Sequence, residues 1–323
     1  GYRVVDLSTW IAGAYCTKLL ADGGAQVTKV EDADGDPLRR WSASGASIAP
    51  NTDGALFNFL HASKRFATAD SLPDLLAEAD AVVWSRGSAI AEAVAPHELA
   101  AAHRNLTVTC ITPFGLDGPW RDKPATEFTL QAWSGGIIGL ARGNPDREPV
   151  HVGGQIGEWL AGVYAAIGTL ATRRRGTGGE VVDVSMLEAL ALCLTYYPVT
   201  FNDQLGRPMR KKRFVPTPGV GAASDGLVGL GCGTGQQWLD FCVLVGHPEW
   251  MEEPRYFLDR TALTPVIDEW IASHTVDEVL DLAAAFRIPN APIANGANVT
   301  TFPHFRERAT FVPNPKDGVA NPR

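Results

Sequence analysis

Residues 2–31 read YRVVDLSTWIAGAYCTKLLADGGAQVTKVE. The run YRVVDLS predicts a short apolar strand, the run from Ile11 to Ala25 predicts a helix closed by glycines, and VTKVE predicts a second strand. A strand, a helix and a strand within about thirty residues form a βαβ unit, which implies a parallel sheet in an α/β domain. No GxGxxG follows the first strand, and Ala12-Gly13-Ala14 is too weak a pattern to indicate NAD.

The alternation of strands and helices continues through the first two thirds of the chain. Further strands are predicted at AVVW (81–84), LTVTCIT (106–112) and VVDVS (181–185), with helical patterns between them. Residues 198–221 then carry four prolines and little periodicity, which marks a linker before a smaller second domain.

The charge balance excludes some partners. A formal net charge of -8 over 323 residues gives no electrostatic footprint for nucleic acid or an anionic membrane, so local cations must hold any phosphate-bearing ligand. Arg39, Lys64 and Arg65 lie just beyond predicted strands, where open α/β sheets bind ligands. Each of them is a candidate phosphate contact, although a solvated surface charge fits the same pattern.

The five cysteines are scattered along the chain, odd in number and without the spacing of a zinc site. This usage predicts a reduced, cytoplasmic compartment and no metal. No apolar run reaches the roughly 18 residues needed to span a bilayer, and the chain opens on no leader-like pattern, so we expect a soluble protein.

One carboxylate stands out in the stretch from Val152 to Arg175, VGGQIGEWLAGVYAAIGTLATRRR. Glycines precede Glu158, and the residues after it have the apolar periodicity of a long helix that ends in three arginines and Gly176. A carboxylate in the first helical turn is favoured in its ionised form by the helix dipole and the free N–H groups. Glu158 is therefore a candidate nucleophile, although simple capping would place a glutamate there too.

A second glycine-rich run, GLVGLGCGTG at 226–235, follows the linker. Gly231, Gly233 and Gly235 are compatible with a phosphate cradle or a mobile lid, but no Lys-Ser or Lys-Thr follows them as in a P-loop. A lid is the better of these two functional interpretations. A hairpin-type turn explains the run equally well.

Several segments, in this order and spacing, resemble the family III CoA-transferases. The resemblance rests on residues 2–31 with GDPLR after them, LHASKRF (60–66), FGLDGPW (114–120), the block around Glu158, QQWLDFC (236–242), IPNAPI (288–293) and PHFRER (303–308). Each segment is weak alone, but together they cover almost the whole chain. This is the CaiB/BaiF group, which includes formyl-CoA transferase and α-methylacyl-CoA racemase.

The resemblance implies an α/β fold with a Rossmann-like large domain and a smaller α+β domain. The implied ranges are a large CoA-binding domain at 1–198, a linker at 199–218, a small domain at 219–297 and a segment at 298–323 that returns to the large domain. Two chains would interlock as rings in a homodimer. Coenzyme A, as substrate and product, would lie against the large domain. Its candidate contacts are Ala12, Arg39, Leu60, Lys64, Arg65 and Arg86.

The family's mechanism would place covalent chemistry on Glu158, at a position that is usually aspartate. The carboxylate attacks an acyl-CoA to give a mixed anhydride, the CoA thiolate then forms an enzyme thioester, and a carboxylic acid repeats these steps in reverse. Gly153, Gly154 and the predicted lid would exclude water and supply oxyanion donors. Glutamate keeps the functional group but adds roughly 1.5 Å of reach.

Two alternatives remain open at this point. The racemase branch uses a histidine in a GHD-like motif, where this chain has Ala125-Thr126-Glu127, and a threonine cannot act as a base near neutral pH. An isomerase with Glu158 as base is one alternative, and a catalytically silent CoA-binding half of a tandem protein is the other. Three tryptophans could line an acyl pocket, although core positions are more common for this residue type. They are Trp41, Trp133 and Trp159.

Overall fold

A six-stranded parallel sheet with the strand order β3-β2-β1-β4-β5-β6 forms the centre of the first part of the chain. The computed structural model describes residues 1–137, 150–176, 178–195, 202–206, 217–257 and 259–322. The strands are β1 (Arg3–Asp6), β2 (Gln26–Glu31), β3 (Arg65–Thr68), β4 (Ala81–Ser85), β5 (Thr107–Thr112) and β6 (Glu180–Ser185). The parallel sheet predicted from residues 2–31 is confirmed.

Burial explains why these runs form strands. Every residue of β4 and β5 is buried, as expected for central parallel strands covered on both faces, whereas β3 at the edge is mostly exposed. Successive side chains point to opposite faces, so Val4 and Val5 belong to different hydrophobic clusters. The direction of winding reverses between β1 and β4, which is where open α/β sheets bind ligands.

Within the described part of the chain, eight α-helices with defined bounds accompany the sheet. They are α1 (Trp10–Asp22), α2 (Ala55–Leu60), α3 (Leu72–Glu78), α4 (Ala89–Glu92), α5 (Pro96–Ala102), α6 (Glu127–Trp133), α7 (Ile156–Arg175) and α8 (Met186–Leu190). Helices α1 and α7 cover one face of the sheet, and residues of α3, α4 and α5 cover the other. Gly162 lets α1 and α7 approach closely, because a Cβ there would lie 2.6 Å from the carbonyl oxygen of Ala12.

The chain divides into two compact units. The first comprises Gly1–Leu140, Pro149–Lys211 and Val312–Arg323, and the second comprises Ala141–Glu148 and Lys212–Phe311. Within the first unit, Asn58 donates a 2.8 Å hydrogen bond to Asp317, which ties the last residues to α2. Most of the predicted linker at 199–218 lies outside the described residues, and the predicted domain boundaries stay predictions.

The second unit has its own antiparallel sheet, β7 (Val220–Ala222), β8 (Leu227–Leu230) and β9 (Asn290–Pro292). Its helices are α9 (Gly235–Leu244), α10 (Thr264–Ala272), α11 (Val276–Ala285) and α12 (Pro303–Glu307). Trp238, Phe241 and Ile271 are fully buried in its core. The remaining strands β10 (Phe311–Pro313) and β11 (Ala320–Pro322) pair with each other. In the part of the chain described, no helix is long and apolar enough to cross a bilayer.

Candidate active site

A cavity of about 490 Å³ opens at the carboxyl edge of the parallel sheet. Its walls include Thr9 and Trp10 after β1, Ser85 at the end of β4 with Arg86 after it, and Glu158 on α7. It therefore lies at the reversal point between β1 and β4, where the strand order alone predicts a ligand site.

Glu158 occupies the third position of α7 and reaches across to another helix. Its Oε2 accepts hydrogen bonds from the backbone N–H groups of Ile11, at 2.7 Å, and Ala12, at 3.1 Å. These groups belong to the first turn of α1, whose N-cap residue Thr9 makes no side-chain capping bond. Glu158 thus caps α1 from a distant part of the sequence.

Burial and hydrogen bonding have opposite effects on the pKa of Glu158. Burial raises the pKa of Glu158, the hydrogen bonds from Ala12 and Ile11 oppose this rise, and the nearby carboxylate of Glu127 adds to it. The two N–H donors favour the ionised form on Oε2, while Oε1 accepts no hydrogen bond from the described residues. A carboxylate held in this way, on the wall of a cavity, can act as a nucleophile.

A second carboxylate, Glu127, lines the same cavity. Its Oε1 accepts hydrogen bonds from the backbone N–H of Gly157, at 2.8 Å, and from Nε2 of Gln131, at 2.7 Å. Its Oε2 is buried and has no hydrogen-bond partner among the described residues. Glu127 therefore caps the first turn of α7 and fixes the turn that carries Glu158. Sequence reasoning noted Glu127 only as the neighbour of Thr126, although an acidic residue directly after an N-cap threonine is a recognisable helix start.

Backbone strain marks the start of both helices. Trp10, the first residue of α1, has φ 64°, and Gln155, the N-cap of α7, has φ 58°. Non-glycine residues rarely adopt this left-handed conformation, which costs about 1–2 kcal/mol. Both residues line the cavity. Strained residues of this kind cluster at functional sites, where the surrounding structure holds them in place.

Comparison with known proteins places the chain in a family. The model of CoA-transferase family III matches residues 1–322. The chain belongs to CoA-transferase family III. This confirms the resemblance found in the sequence.

Two curated relatives carry related names. Succinyl-CoA–D-citramalate CoA-transferase from Chloroflexus aurantiacus is 27% identical over 351 residues, covering 96% of this chain and 82% of the relative. Succinyl-CoA:mesaconate CoA-transferase from Haloarcula hispanica is 28% identical over 330 residues, covering 95% and 83%. A CaiB/BaiF family protein from Brucella suis, known from a crystal structure, superimposes with a TM-score of 0.83 at 25% identity and covers 100% of this chain and 90% of that chain. These relatives support CoA transfer as the reaction.

Two of the predicted CoA contacts lie at the cavity. Ala12 lines it and contributes its N–H to Glu158. Arg86 also lines it, and its guanidinium pairs with Asp122 at 3.1 Å. Thr126, which the resemblance matches to the racemase histidine, lines the cavity as well. Its hydroxyl accepts a 3.3 Å hydrogen bond from the N–H of Thr129 and so serves as the N-cap of α6.

The other predicted cations lie apart from the cavity lining. Arg39 is half-buried between two carboxylates, with Nη2 of Arg39 2.5 Å from Glu31 and Nη1 2.8 Å from Asp53. Arg65 is exposed on the edge strand β3, and Leu60 is fully buried. Their predicted contacts with CoA stay predictions, and the charge of Arg39 is already balanced within the fold.

Lys64 departs most from the expectation. Its ammonium lies fully buried and donates to Oδ2 of Asp6 at 3.1 Å, to the carbonyl of Ala14 at 2.9 Å and to Oγ1 of Thr17 at 2.6 Å. All three of its N–H groups are used. Nζ of Lys29 lies 3.9 Å from Oδ1, the other carboxylate oxygen of Asp6. In this structure Lys64 holds β1 to α1 and lies directly before β3, not after a strand as the sequence suggested. Its contact with a phosphate stays a prediction.

A buried histidine beside this cluster gives the protein an expected pH dependence. His61 stacks on Phe57 with ring centroids 4.4 Å apart, and neither ring nitrogen has a hydrogen-bond partner among the described residues. Burial and the charge of Lys64 lower the pKa of His61 well below its ordinary 6.5. Below about pH 6.5, His61 is protonated in the unfolded chain but stays neutral in the folded chain. The free energy of unfolding should therefore fall, as the pH is lowered, by at most about 1.4 kcal/mol per pH unit.

Urea unfolding between pH 5 and 8 tests this expectation. The native protein should lose stability between about pH 6.5 and pH 5. His61→Phe keeps an aromatic ring against Phe57 but cannot titrate, so its stability should change less over that range. Equal slopes for both proteins would show that His61 is not the group responsible.

The predicted glycines do not supply the donors that reach Glu158. Gly153 and Gly154 are exposed, and the carbonyl of Gly154 accepts a 2.9 Å hydrogen bond from Nε1 of Trp159. The donors to Glu158 come instead from Ile11 and Ala12. The prediction that Gly153 and Gly154 supply oxyanion donors is a separate one, and it stays a prediction.

The glycine run of the second unit connects a strand to a helix. The N–H of Gly231 donates to the carbonyl of Pro289 at 2.9 Å, that of Gly233 donates to Oε1 of Gln237 at 2.8 Å, and Gly235 begins α9. Gly231, Gly233 and Gly235 therefore form no hairpin-type turn, whereas Gly226, at the start of the run, closes the turn between β7 and β8. Its function as a lid stays a prediction.

The three predicted tryptophans do not line the described cavity. Trp133 is exposed, and its ring packs edge-on against that of Trp120 with the ring centroids 4.2 Å apart. The ammonium of Lys123 lies 3.5 Å from the ring centroid of Trp133. The ring centroids of Trp159 and Tyr15 are 4.6 Å apart. Trp41 packs against the hydrophobic cluster that contains Phe57 and Leu60 of α2. The contacts of Trp41 and Trp159 fit the core interpretation better than an acyl pocket.

Proposed function

We propose that this chain transfers CoA between an acyl-CoA and a carboxylic acid through covalent intermediates on Glu158. The observation that carries the proposal is the placement of Glu158 on the cavity wall, with Oε2 held by two N–H groups of α1 and Oε1 left without a partner among the described residues. Membership of CoA-transferase family III supports the same reaction.

In the first step, Oε1 of Glu158 attacks the thioester carbonyl carbon of the acyl-CoA. The C–S bond breaks, the sulfur leaves as the CoA thiolate, and a mixed anhydride links the acyl group to Glu158. No proton has to move, because an anionic carboxylate is consumed and an anionic thiolate is released. The N–H donors of α1 oppose the rise in the pKa of Glu158 that burial causes, so they favour the ionised form that attacks.

In the second step, the thiolate attacks the side-chain carbonyl carbon of Glu158. Negative charge then develops on Oε2, the atom that already accepts hydrogen bonds from Ile11 and Ala12. These donors, at the positive end of the α1 dipole, form an oxyanion hole that needs no rearrangement. The donor acid leaves with the attacking oxygen, and Glu158 is left as a thioester of CoA. The acceptor acid then reverses both steps.

The second carboxylate supports this scheme as a positioning group. Glu127 holds the N–H of Gly157, which is the residue before Glu158. A Cβ on Gly157 would lie 2.9 Å from Oε2 of Glu127, so only glycine lets Glu127 reach this turn without displacement. Glu127 thus fixes the backbone from which Glu158 extends toward α1.

The substrates are proposed from the relatives. Their names pair succinyl-CoA with D-citramalate or mesaconate, so a dicarboxylic acyl-CoA and a dicarboxylic acceptor are the first substrates to test. Transfer would be followed by separating the two CoA thioesters.

Oxygen labelling separates the covalent route from direct transfer. When the acceptor acid carries ¹⁸O in both carboxylate oxygens, each turnover leaves one ¹⁸O on Glu158, and the next turnover passes it to the released donor acid. In a single turnover with enzyme in excess, we therefore expect unlabelled donor acid and one ¹⁸O on Glu158, and in later turnovers one ¹⁸O in each donor acid released. Direct attack of the acceptor acid on the acyl-CoA would place ¹⁸O in the donor acid already in the first turnover and none on Glu158, and that result would contradict the proposal.

We also propose the homodimer that the resemblance implies. Ile167 and Leu170 on α7 are 57% and 50% exposed, and Leu192 beyond α8 is 64% exposed. Ile167 and Leu170 are three residues apart on one helix, and exposed large apolar side chains that lie side by side in this way mark interaction surfaces. Analytical ultracentrifugation should give the mass of two chains at micromolar concentration, and Ile167→Glu should shift the equilibrium toward one chain. A native protein that sediments as a single chain would contradict the homodimer.

A further inference from the structure

An ion pair joins two walls of the cavity. Arg86 follows β4, whereas Asp122 belongs to the segment between β5 and α6, and both residues line the cavity. Nη2 of Arg86 lies 3.1 Å from Oδ1 of Asp122, and Nε of Arg121 lies 3.0 Å from the other carboxylate oxygen. One carboxylate therefore occupies two guanidinium groups at the same time.

The charges of the cavity wall are balanced in this state. Among the described residues that line it, the three cations are Arg86, Arg121 and Lys123, and the three carboxylates are Asp122, Glu127 and Glu158. The whole chain carries a net charge of -8, so no general field attracts an anion to it. An anionic group that enters the cavity meets guanidinium groups that a carboxylate already holds.

We propose that Asp122 stands in for an anionic group of the substrate and is displaced from Arg86 when the substrate binds. Arginine presents a planar fork of N–H donors that fits a phosphate as well as a carboxylate, so the same group can exchange one partner for the other. The side chains of Arg86 and Asp122 are 46% and 62% exposed, and pairs of such exposure are worth little. The exchange is therefore easy, and Asp122 sets the affinity of the site by competition.

The choice of the substrate rests on the proposed function, since CoA carries phosphates and the acids carry carboxylates. Removing the carboxylate of Asp122 should free Arg86 and Arg121 for the ligand. Asp122→Asn keeps the size of the side chain and lies on an exposed segment, so the fold should persist. Asp117→Asn is the matched control, because Asp117 is exposed on the same segment and forms no ion pair within the described ranges.

The test is a calorimetric titration of the native protein and both variants with four probes: CoA, 3′-dephospho-CoA, pantetheine and succinate. We expect Asp122→Asn to bind CoA about two- to fivefold more tightly at low salt, with the gain shrinking as salt is raised. Asp117→Asn should bind CoA as the native protein does. An equal gain in both variants would reduce the effect to net charge and overturn the proposal.

The probes identify the anion that takes the place of Asp122. If Asp122→Asn binds CoA more tightly than the native protein but binds dephospho-CoA equally, the displacing anion is the 3′-phosphate. If the tighter binding persists with dephospho-CoA but not with pantetheine, the displacing anion is the diphosphate. A gain confined to succinate assigns a carboxylate of the acid. Unchanged or weaker binding of every probe by Asp122→Asn, or an equal gain with pantetheine, would overturn the proposal. If the native protein binds none of the probes, both the proposed function and this inference fail. If the native protein binds a probe but Asp122→Asn binds it no more tightly, this inference alone is overturned.

Discussion

Glu158→Gln is expected to lose CoA transfer by at least about a thousandfold while the protein stays folded. The amide oxygen of glutamine can still accept the hydrogen bonds that Ile11 and Ala12 donate to Glu158, so the cap on α1 is preserved. The amide cannot attack a thioester as the carboxylate does. Rates of thioester exchange, together with the melting temperatures of both proteins, measure the two effects separately.

Glu158→Asp is the control for reach. It retains the carboxylate but shortens the side chain by one methylene, roughly 1.5 Å, which draws the oxygens away from the α1 amides. A misplacement of this size should cost about a hundredfold in rate. If Glu158→Gln keeps a tenth of the native rate, Glu158 is not the nucleophile.

Lys64→Met is expected to lower the free energy of unfolding by about 3–5 kcal/mol. Burial lowers the pKa of Lys64 to about 8 even though Asp6 favours its charged form, so the ammonium is costly to bury and is held by its partners. Burial acts to raise the pKa of Asp6, but Lys29 and Lys64 outweigh it and hold that pKa well below its usual range. Without Lys64, a fully buried carboxylate loses one of its two cations.

Urea unfolding of Lys64→Met is compared with that of Arg175→Met. Arg175 pairs with Glu180 at 2.9 Å on the surface, where the side chain of Arg175 is 63% exposed, so its loss should cost under about 1 kcal/mol. The two sites thus differ in burial more than in chemistry. A Lys64→Met protein of native stability that binds CoA more weakly would contradict the structural role and support the ligand contact predicted from the sequence.

Local patterns predicted much of the fold. The spacing of apolar residues in residues 2–31 gave the first strands and helix, because a buried face imposes its period on the sequence. The same reasoning placed Glu158 in the first turn of a helix, and α7 begins at Ile156 and ends at Arg175, as the glycines and arginines indicate. Motif order, rather than any single motif, predicted the family.

The contacts of the site were beyond such reasoning. Glu158 and Ile11 are 147 residues apart, so no local pattern reveals that the carboxylate of one caps the helix of the other. A cation next to a strand has a similar sequence context whether its side chain lines the cavity, as that of Arg86 does, or is buried with a carboxylate, as that of Lys64 is. Burial decides between these outcomes, and it depends on the packing of the whole unit.

The most direct test of the central claim is the mass of the protein during turnover. After mixing with succinyl-CoA, the intact protein should gain the mass of CoA less one water, and peptide analysis should place the adduct on Glu158. Hydroxylamine should remove the adduct, and Glu158→Gln should never form it. A native protein that completes CoA transfer without any adduct on Glu158, when quenched during turnover, would contradict the covalent account.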